Sequence, residues 1–304
     1  MAQRARWVVR KGEGTRLGDV LSRMLAASDP GAIKDGRVFV GKRRARSLDD
    51  AVTVGDEVFV ASRTRDDAVP ATILFDEDGL VAADKPADSV TIPDHGGSGS
   101  LIAAVARTLG VDVTTLHATS RLDRGVSGVV FFARTERAAE RLRRAREEGR
   151  YRRCYVAIAA MAPPLPEGEW DAPIGRAPNP RHRAARGDDA APSRSRYLVV
   201  ARAGAWALLS LEPITGRTHQ LRVHAADGGA PLVGDRVYGG PSRATLPTGS
   251  VLSFDRVALH AGRVSVPRAD GSVVHVASPA PAKLREWWVA AGGDDAAWGL
   301  ALSP

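Results

Sequence analysis

The sequence predicts an α+β fold: a mixed, largely antiparallel sheet domain preceded by a small N-terminal α/β module. Three observations predict it. Apolar runs of strand length recur at residues 155–159, 196–201, 206–212 and 273–277, with a polar loop at 178–192 among them. Three stretches, 15–27, 100–109 and 135–148, carry apolar side chains at helical spacing. A segment at 62–70, rich in charge and poor in apolar side chains, divides the chain and places a linker at 64–70.

Taken in order, a short alternating strand at 7–10 leads into the helix 15–27, where Leu17, Val20, Leu21, Met24 and Leu25 share a face and Asp29-Pro30-Gly31 ends it. Residues 36–42 read as a strand entering a turn, and 52–60 as a strand pair broken at Gly55-Asp56. These pieces form a unit over 1–63, too small for a large enzyme core. In the second domain, 71–290, short strands at 73–75 and 80–82 flank a turn, a helix covers 100–109, and 129–133 is a buried strand. The helix 135–148 places Ala138, Leu142 and Ala145 on one stripe and arginine on its other faces. Residues 291–304 read as a frayed tail.

Of 304 residues, 44% are hydrophobic and 26% charged, the balance of a soluble globular protein rather than a disordered, fibrous or membrane one. A single cysteine, Cys154, forms neither an intrachain disulfide nor a multi-thiolate metal site. With no 18-residue apolar run and no signal-like N-terminus, a cytoplasmic protein is expected. The net charge of +8 favours an anionic partner, nucleic acid or a membrane surface. Residues 1–65 hold +6 of it and residues 134–153 a further +5, leaving the rest at −3. Because no amphipathic anchor accompanies that charge, nucleic acid is the expected partner and a membrane is not. Only five of the 43 basic residues are lysine, a skew that both phosphate recognition by guanidinium and genomic base composition explain.

Three polar stretches flanked by glycine can carry chemistry. In Ser120-Arg121-Leu122-Asp123-Arg124-Gly125-Val126-Ser127-Gly128, an Asp between two arginines precedes a buried strand. A carboxylate held ionised at a cleft edge serves as base or nucleophile; the same Asp also fits a turn hydrogen bond or a surface salt bridge. In Ile214-Thr215-Gly216-Arg217-Thr218-His219-Gln220-Leu221-Arg222-Val223-His224, the histidines stand five apart, offset by about 140° in a helix and on opposite faces in a strand. Neither spacing makes a metal pair, and no glutamate sits as in His-Glu-x-x-His, so a metal-dependent hydrolase fails here and no metal is expected. An arginine of this stretch can instead pair with Asp123. The third stretch, residues 228–240, implies tight turns packed against a site, but it holds neither nucleotide-binding glycine pattern.

Together these residues resemble the RNA pseudouridine synthases of the RluA type. The first stretch is similar to that family's His-Arg-Leu-Asp-Arg-x-Thr-Ser-Gly. The second, with Pro231-Leu232-Val233-Gly234-Asp235 and Tyr238-Gly239, follows its later signature almost residue for residue. Asp84-Lys85-Pro86-Ala87, Arg153-Cys154-Tyr155-Val156-Ala157 and Leu259-His260-Ala261 add to the likeness, which covers about residues 71–290. Residues 15–60 resemble, less closely, the S-four RNA-binding module of a ribosomal small-subunit protein, through Arg16-Leu17, Lys34-Asp35-Gly36-Arg37-Val38 and Val54-Gly55-Asp56-Glu57-Val58. The chain departs from the family pattern at Ser120, Gly125, Val126, Asp88 and Ala230.

The resemblance implies isomerisation of uridine within RNA, with no cofactor, by a monomer whose expected target is large-subunit ribosomal RNA. Asp123 is the implied essential carboxylate, attacking carbon 6 or the anomeric carbon or assisting glycosidic cleavage; Tyr155 stacks on the base, and Arg222 pairs with Asp123. Base flipping is required to reach the uridine, and Arg121 stands where it can fill the vacated stack. Arg124, Arg217, His219, Lys34, Arg37 and Lys42 complete the expected RNA- or substrate-binding set, with the arginine face of 134–153 on the phosphates. The competing readings are a non-catalytic RNA-binding or ribosome-assembly protein that keeps the fold, and a synthase acting on tRNA.

Overall fold

A computed structural model describes residues 5–24, 32–33, 37–41, 43–60, 70–93, 99–246 and 249–302. The chain divides into two compact units, one of residues 1–85, 89–122 and 130–139, the other of 86–88, 123–129 and 140–304.

The first unit begins with a four-stranded antiparallel sheet. Its strands are β1 (Ala5–Val8), β2 (Val38–Val40), β3 (Arg43–Arg44) and β4 (Glu57–Val60), in the order β1-β4-β2-β3, with helix α1 (Leu17–Met24) beside them. Leu17, Val20 and Leu21, the predicted face of α1, are buried in a cluster with Val38, Val40, Val58 and Val60. The strand pair expected over 52–60 is one strand. The Asp56 carboxylate accepts from the Thr53 N–H at 2.8 Å and the Thr53 hydroxyl at 3.0 Å, closing a turn that leaves the preceding residues out of the sheet.

The same unit continues with β5 (Thr72–Glu77), β6 (Leu80–Lys85), α2 (Leu101–Leu109), β7 (His117–Ala118), the second half of β8 (Ser127–Ala133) and the start of α3 (Glu136–Glu147). Ser100 caps α2 through the Ala103 N–H, and Gly110 closes it in the left-handed conformation. The apolar face of α2 packs with Val81, Ala83, Val130 and Phe132. Along α3 the stripe Ala138, Leu142 and Ala145 is buried, as its spacing predicts.

The second unit contains β9 (Arg152–Ala159), β10 (Glu167–Trp170), β11 (Ile174–Arg176), β12 (Arg183–Ala185), β13 (Asp188–Ala191), β14 (Ser195–Ala203), β15 (Trp206–Pro213), α4 (Gln220–Asp227), β16 (Arg243–Thr245), β17 (Val251–Ser253), β18 (Leu259–Pro267), β19 (Val273–Ala277), α5 (Ala282–Ala290) and α6 (Ala297–Ala301). Antiparallel pairing gives the order β10-β14-β15-β9-β18, with β19 on β18, and the first residues of β8 run parallel to β18. The class is thus the mixed, mostly antiparallel sheet that the alternating apolar runs predict.

Two expectations are corrected here. The polar loop 178–192 contributes two strands, β12 and β13, to a small sheet, β12-β11-β13, in which Gly175 and Gly187 lie so close that a Cβ on either would sit 2.4 Å from a carbonyl oxygen of the facing strand. Three- and four-residue polar strands carry no apolar alternation, so their pattern is silent. Residues 291–302 are not a frayed tail: Trp298 of α6 is buried among Trp287, Trp288 and Phe254, and 303–304 lie outside the described residues. The Asp294 carboxylate accepts the Ala296 N–H at 2.9 Å, and its backbone carbonyl accepts the Trp288 indole N–H at 2.9 Å. No helix among the described residues is long and apolar enough to cross a membrane.

Candidate active site

Asp123 stands on the loop entering β8, its side chain 26% exposed. The loop is anchored just behind it. Gly128 has φ +115°, and a Cβ there would lie 2.2 Å from the Ala261 carbonyl oxygen, so the parallel contact with β18 demands glycine. The Ser127 hydroxyl accepts from Arg256 Nη2 at 2.8 Å and lies 2.8 Å from His260 Nδ1. His260 Nε2 lies 3.1 Å from the Ser278 carbonyl, which only accepts, so the proton is on Nε2 and Nδ1 receives the serine O–H. Burial pushes the His260 pKa down to about 4, keeping this imidazole neutral at pH 7.

Arg222 projects from the first turn of α4. The start of that helix is built by Gln220, whose Oε1 accepts from the Thr215 hydroxyl at 2.7 Å and the Arg217 N–H at 2.9 Å while Nε2 donates to Ser195 Oγ at 2.9 Å. Arg222 Nη1 donates to Asp123 Oδ2 at 2.9 Å. Its Nε and Nη2 donate to Asp235 Oδ2 and Oδ1 at 2.7 and 2.8 Å, and the Asp235 side chain is 1% exposed. Burial opposes the arginine's charge, but Asp235 and then Asp123 outweigh it and raise its pKa.

His219 precedes α4 at φ +59°, with Nε2 3.7 Å from Asp123 Oδ2 and Nδ1 2.6 Å from the Tyr238 hydroxyl. Burial lowers its pKa against the pull of Asp123. Tyr238 lies under the Arg222 guanidinium, 4.9 Å from ring centroid to Cζ. Tyr155, on β9, is 7% exposed; burial raises its phenol pKa, and the Asp123 charge adds to that.

The expected residues separate accordingly. Asp123, Arg222 and His219 meet, and Tyr155 lies within the field of Asp123. Arg121, Arg124 and Arg217 are exposed; the Arg124 carbonyl accepts the Asp88 N–H at 2.8 Å, and Arg124 Nη1 donates to the Asp88 carbonyl at 3.4 Å. Asp88, where the family pattern has glycine, adopts φ +65°, a conformation Asp tolerates better than most residues. Arg37, expected to reach RNA, is only 6% exposed, because it leads directly into the buried strand β2. Lys34 and Lys42 lie outside the described residues. His224 is a core histidine, 2.9 Å from both Ser195 Oγ and the Ala172 carbonyl. Asp235 and Tyr238 entered the sequence reading as part of the family's later signature and of a turn-rich stretch, and neither was named there as a site residue.

One carboxylate, a neutral imidazole and an arginine shared between two carboxylates make a site suited to nucleophilic or proton-transfer chemistry. Comparison with known proteins points the same way. Residues 79–227 match the family profile described as RNA pseudouridylate synthase. A protein of Nitrosomonas europaea named ribosomal large subunit pseudouridine synthase D is 35% identical over 233 residues, 73% of this chain and 67% of that protein. One of the same name from Vibrio parahaemolyticus is 30% identical over 268 residues, 82% of each. The solved structure of human RNA pseudouridylate synthase domain containing 4 shares the fold, with TM-score 0.58 at 22% identity, covering 72% of this chain and 91% of that one.

Proposed function

Because this chain belongs to the RNA pseudouridine synthase family and is an isomerase of that kind, we propose that Asp123 is its reacting carboxylate and large-subunit ribosomal RNA its substrate. The observation carrying the site is the 2.9 Å contact from Arg222 to Asp123, which holds a partly buried carboxylate where a flipped base would arrive. In the reaction the bond from uracil N1 to the anomeric carbon breaks, the base turns, and C5 joins that carbon. C5 then loses its proton and N1 gains one. No electrons enter or leave, so the rearrangement needs neither redox cofactor nor energy input.

Within this reading Tyr155 forms one wall for the detached base, and Arg121 fills the stack left by the flipped uridine, at a cost of a few kcal/mol met by backbone contacts. Exposed Arg124, Arg217 and the arginines of α3 supply those contacts. Residues 1–63 form an S-four-like RNA-binding module joined by 64–70 to the catalytic domain 71–290. The names of the relatives support the large-subunit target, and a monomer working in the cytoplasm fits a cation-rich RNA enzyme with one cysteine.

The test is to incubate purified protein with RNA from cells lacking the gene and map pseudouridine by carbodiimide primer extension. New sites in 23S-type RNA with wild type and none with Asp123→Asn support the reading. Sites confined to tRNA replace the substrate, and identical maps from the two proteins overturn the role of Asp123.

A further inference from the structure

The loop carrying Asp235 and Tyr238 lies beyond the residues 79–227 matched by the family profile, yet it holds both groups that face Asp123. Gly234 turns this loop at φ +77° beneath the Arg256 carbonyl, where a Cβ would be 1.9 Å from the oxygen. Asp235 follows at once. Its two oxygens take Nε and Nη2 of Arg222, and Oδ1 also accepts the N–H groups of Val237 and Tyr238 at 3.2 and 3.3 Å. A guanidinium is planar, so engaging one edge bidentately determines where the remaining Nη1 points. That direction is Asp123.

Tyr238 does the equivalent for His219. Its hydroxyl accepts the Arg183 backbone N–H at 3.0 Å, and the imidazole Nδ1 stands 2.6 Å away. The backbone N–H can only donate, and the only acceptor bonded to the phenol among the described residues is Nδ1. The phenolic proton therefore goes to Nδ1, which leaves the imidazole proton on Nε2, the nitrogen facing Asp123.

We propose that Asp235 and Tyr238 are positioning residues for the isomerisation: Asp235 aims Arg222 Nη1, and Tyr238 sets the His219 tautomer, so that two donors converge on Asp123. This rests on the reading of Asp123 as the reacting carboxylate. It makes residues 234–238 a brace for the catalytic centre.

The test compares wild type, Asp123→Asn, Asp235→Asn and Tyr238→Phe in single-turnover tritium release from total RNA labelled at uridine C5, taken from cells lacking the gene. Asp235→Asn is expected to slow the step on the order of 100-fold with the half-saturating RNA concentration unchanged, the signature of a misplaced reacting group rather than lost binding. Tyr238→Phe removes one oxygen and preserves the ring, so it reports on the brace even where Asp235→Asn does not fold; it is expected to slow the same step. Two-bond ¹H–¹⁵N imidazole spectra should show His219 as the Nε2–H tautomer in wild type and a mixture in Tyr238→Phe. An inactive Asp123→Asn beside Asp235→Asn or Tyr238→Phe of wild-type rate overturns the brace, as does an Nδ1–H tautomer in wild type. Wild-type rates in Asp123→Asn overturn the underlying reading instead.

Discussion

Arg222 reaches Asp123 with one nitrogen, at 2.9 Å, while its other two are occupied by Asp235. The two carboxylates are thus unequal partners of one cation. Asp235 is fully buried and doubly bonded, so it anchors; Asp123 is singly bonded and partly open, so it is available to react. The geometry of a fork, rather than charge alone, creates that difference.

Replacing Arg222 by Lys tests the fork. A lysine keeps the charge but cannot engage both Asp235 oxygens and Asp123 in one plane. The turnover number should fall by about 100-fold, with RNA affinity retained in a filter-binding titration. Arg222→Ala goes further, stranding the Asp235 carboxylate and costing about 3–5 kcal/mol of stability by urea denaturation.

Trp298→Ala measures the packing of α6. Trp298 is 4% exposed within the cluster that holds Trp287 and Trp288. Truncating it should cost about 3–5 kcal/mol. A change below 1 kcal/mol, on the order of a surface substitution, would mean that α6 contributes little to the core.

His260 makes stability depend on pH in a definite direction. Its folded pKa of about 4 lies below the ordinary 6.5, because protonation would place a charge in the buried Ser127–Ser278 network. Between those values the unfolded chain binds the extra proton, so this contribution is complete above pH 6.5 and is lost as the pH falls through 4. The loss amounts to roughly 3 kcal/mol. Urea titrations at pH 7 and pH 4.5 should show a steeper drop for wild type than for His260→Asn.

The arginine face of α3 should act through phosphate. Arg137 and Arg144 are exposed, and Arg144 stands 3.8 Å from Glu140. Converting both to Gln is expected to weaken RNA binding and to reduce the slope of log affinity against log salt by about 2, with the single-turnover rate at saturating RNA unchanged. An unaltered slope would place the RNA elsewhere.

Much of this was legible because it is local. Leu17, Val20 and Leu21 share a face by spacing alone, and the helix expected over 100–109 is α2, Leu101–Leu109. Asp123 and Arg222 were conspicuous as charged residues in glycine-bearing stretches beside apolar ones. The small sheet over 174–191 and the helix at Trp298 were not legible. Their strands and turns are short, and what stabilises them lies far away in sequence: the glycine-to-glycine approach of Gly175 and Gly187, and the tryptophan cluster. Arg37 misled for a related reason, since a basic residue in a basic stretch gives no sign of its own burial.

By itself the sequence determined the class of fold, the distribution of basic residues along the chain and the identity of the charged groups, because each follows from side-chain chemistry and short-range period. Only the tertiary structure decided their roles toward one another. It set Asp235 beneath Arg222 and Tyr238 against His219, contacts across 13 and 19 residues, and it brought Arg222 to Asp123 across 99. Which of two carboxylates anchors an arginine and which stays open depends on burial and on the direction of three nitrogens, and those are properties of the packed site.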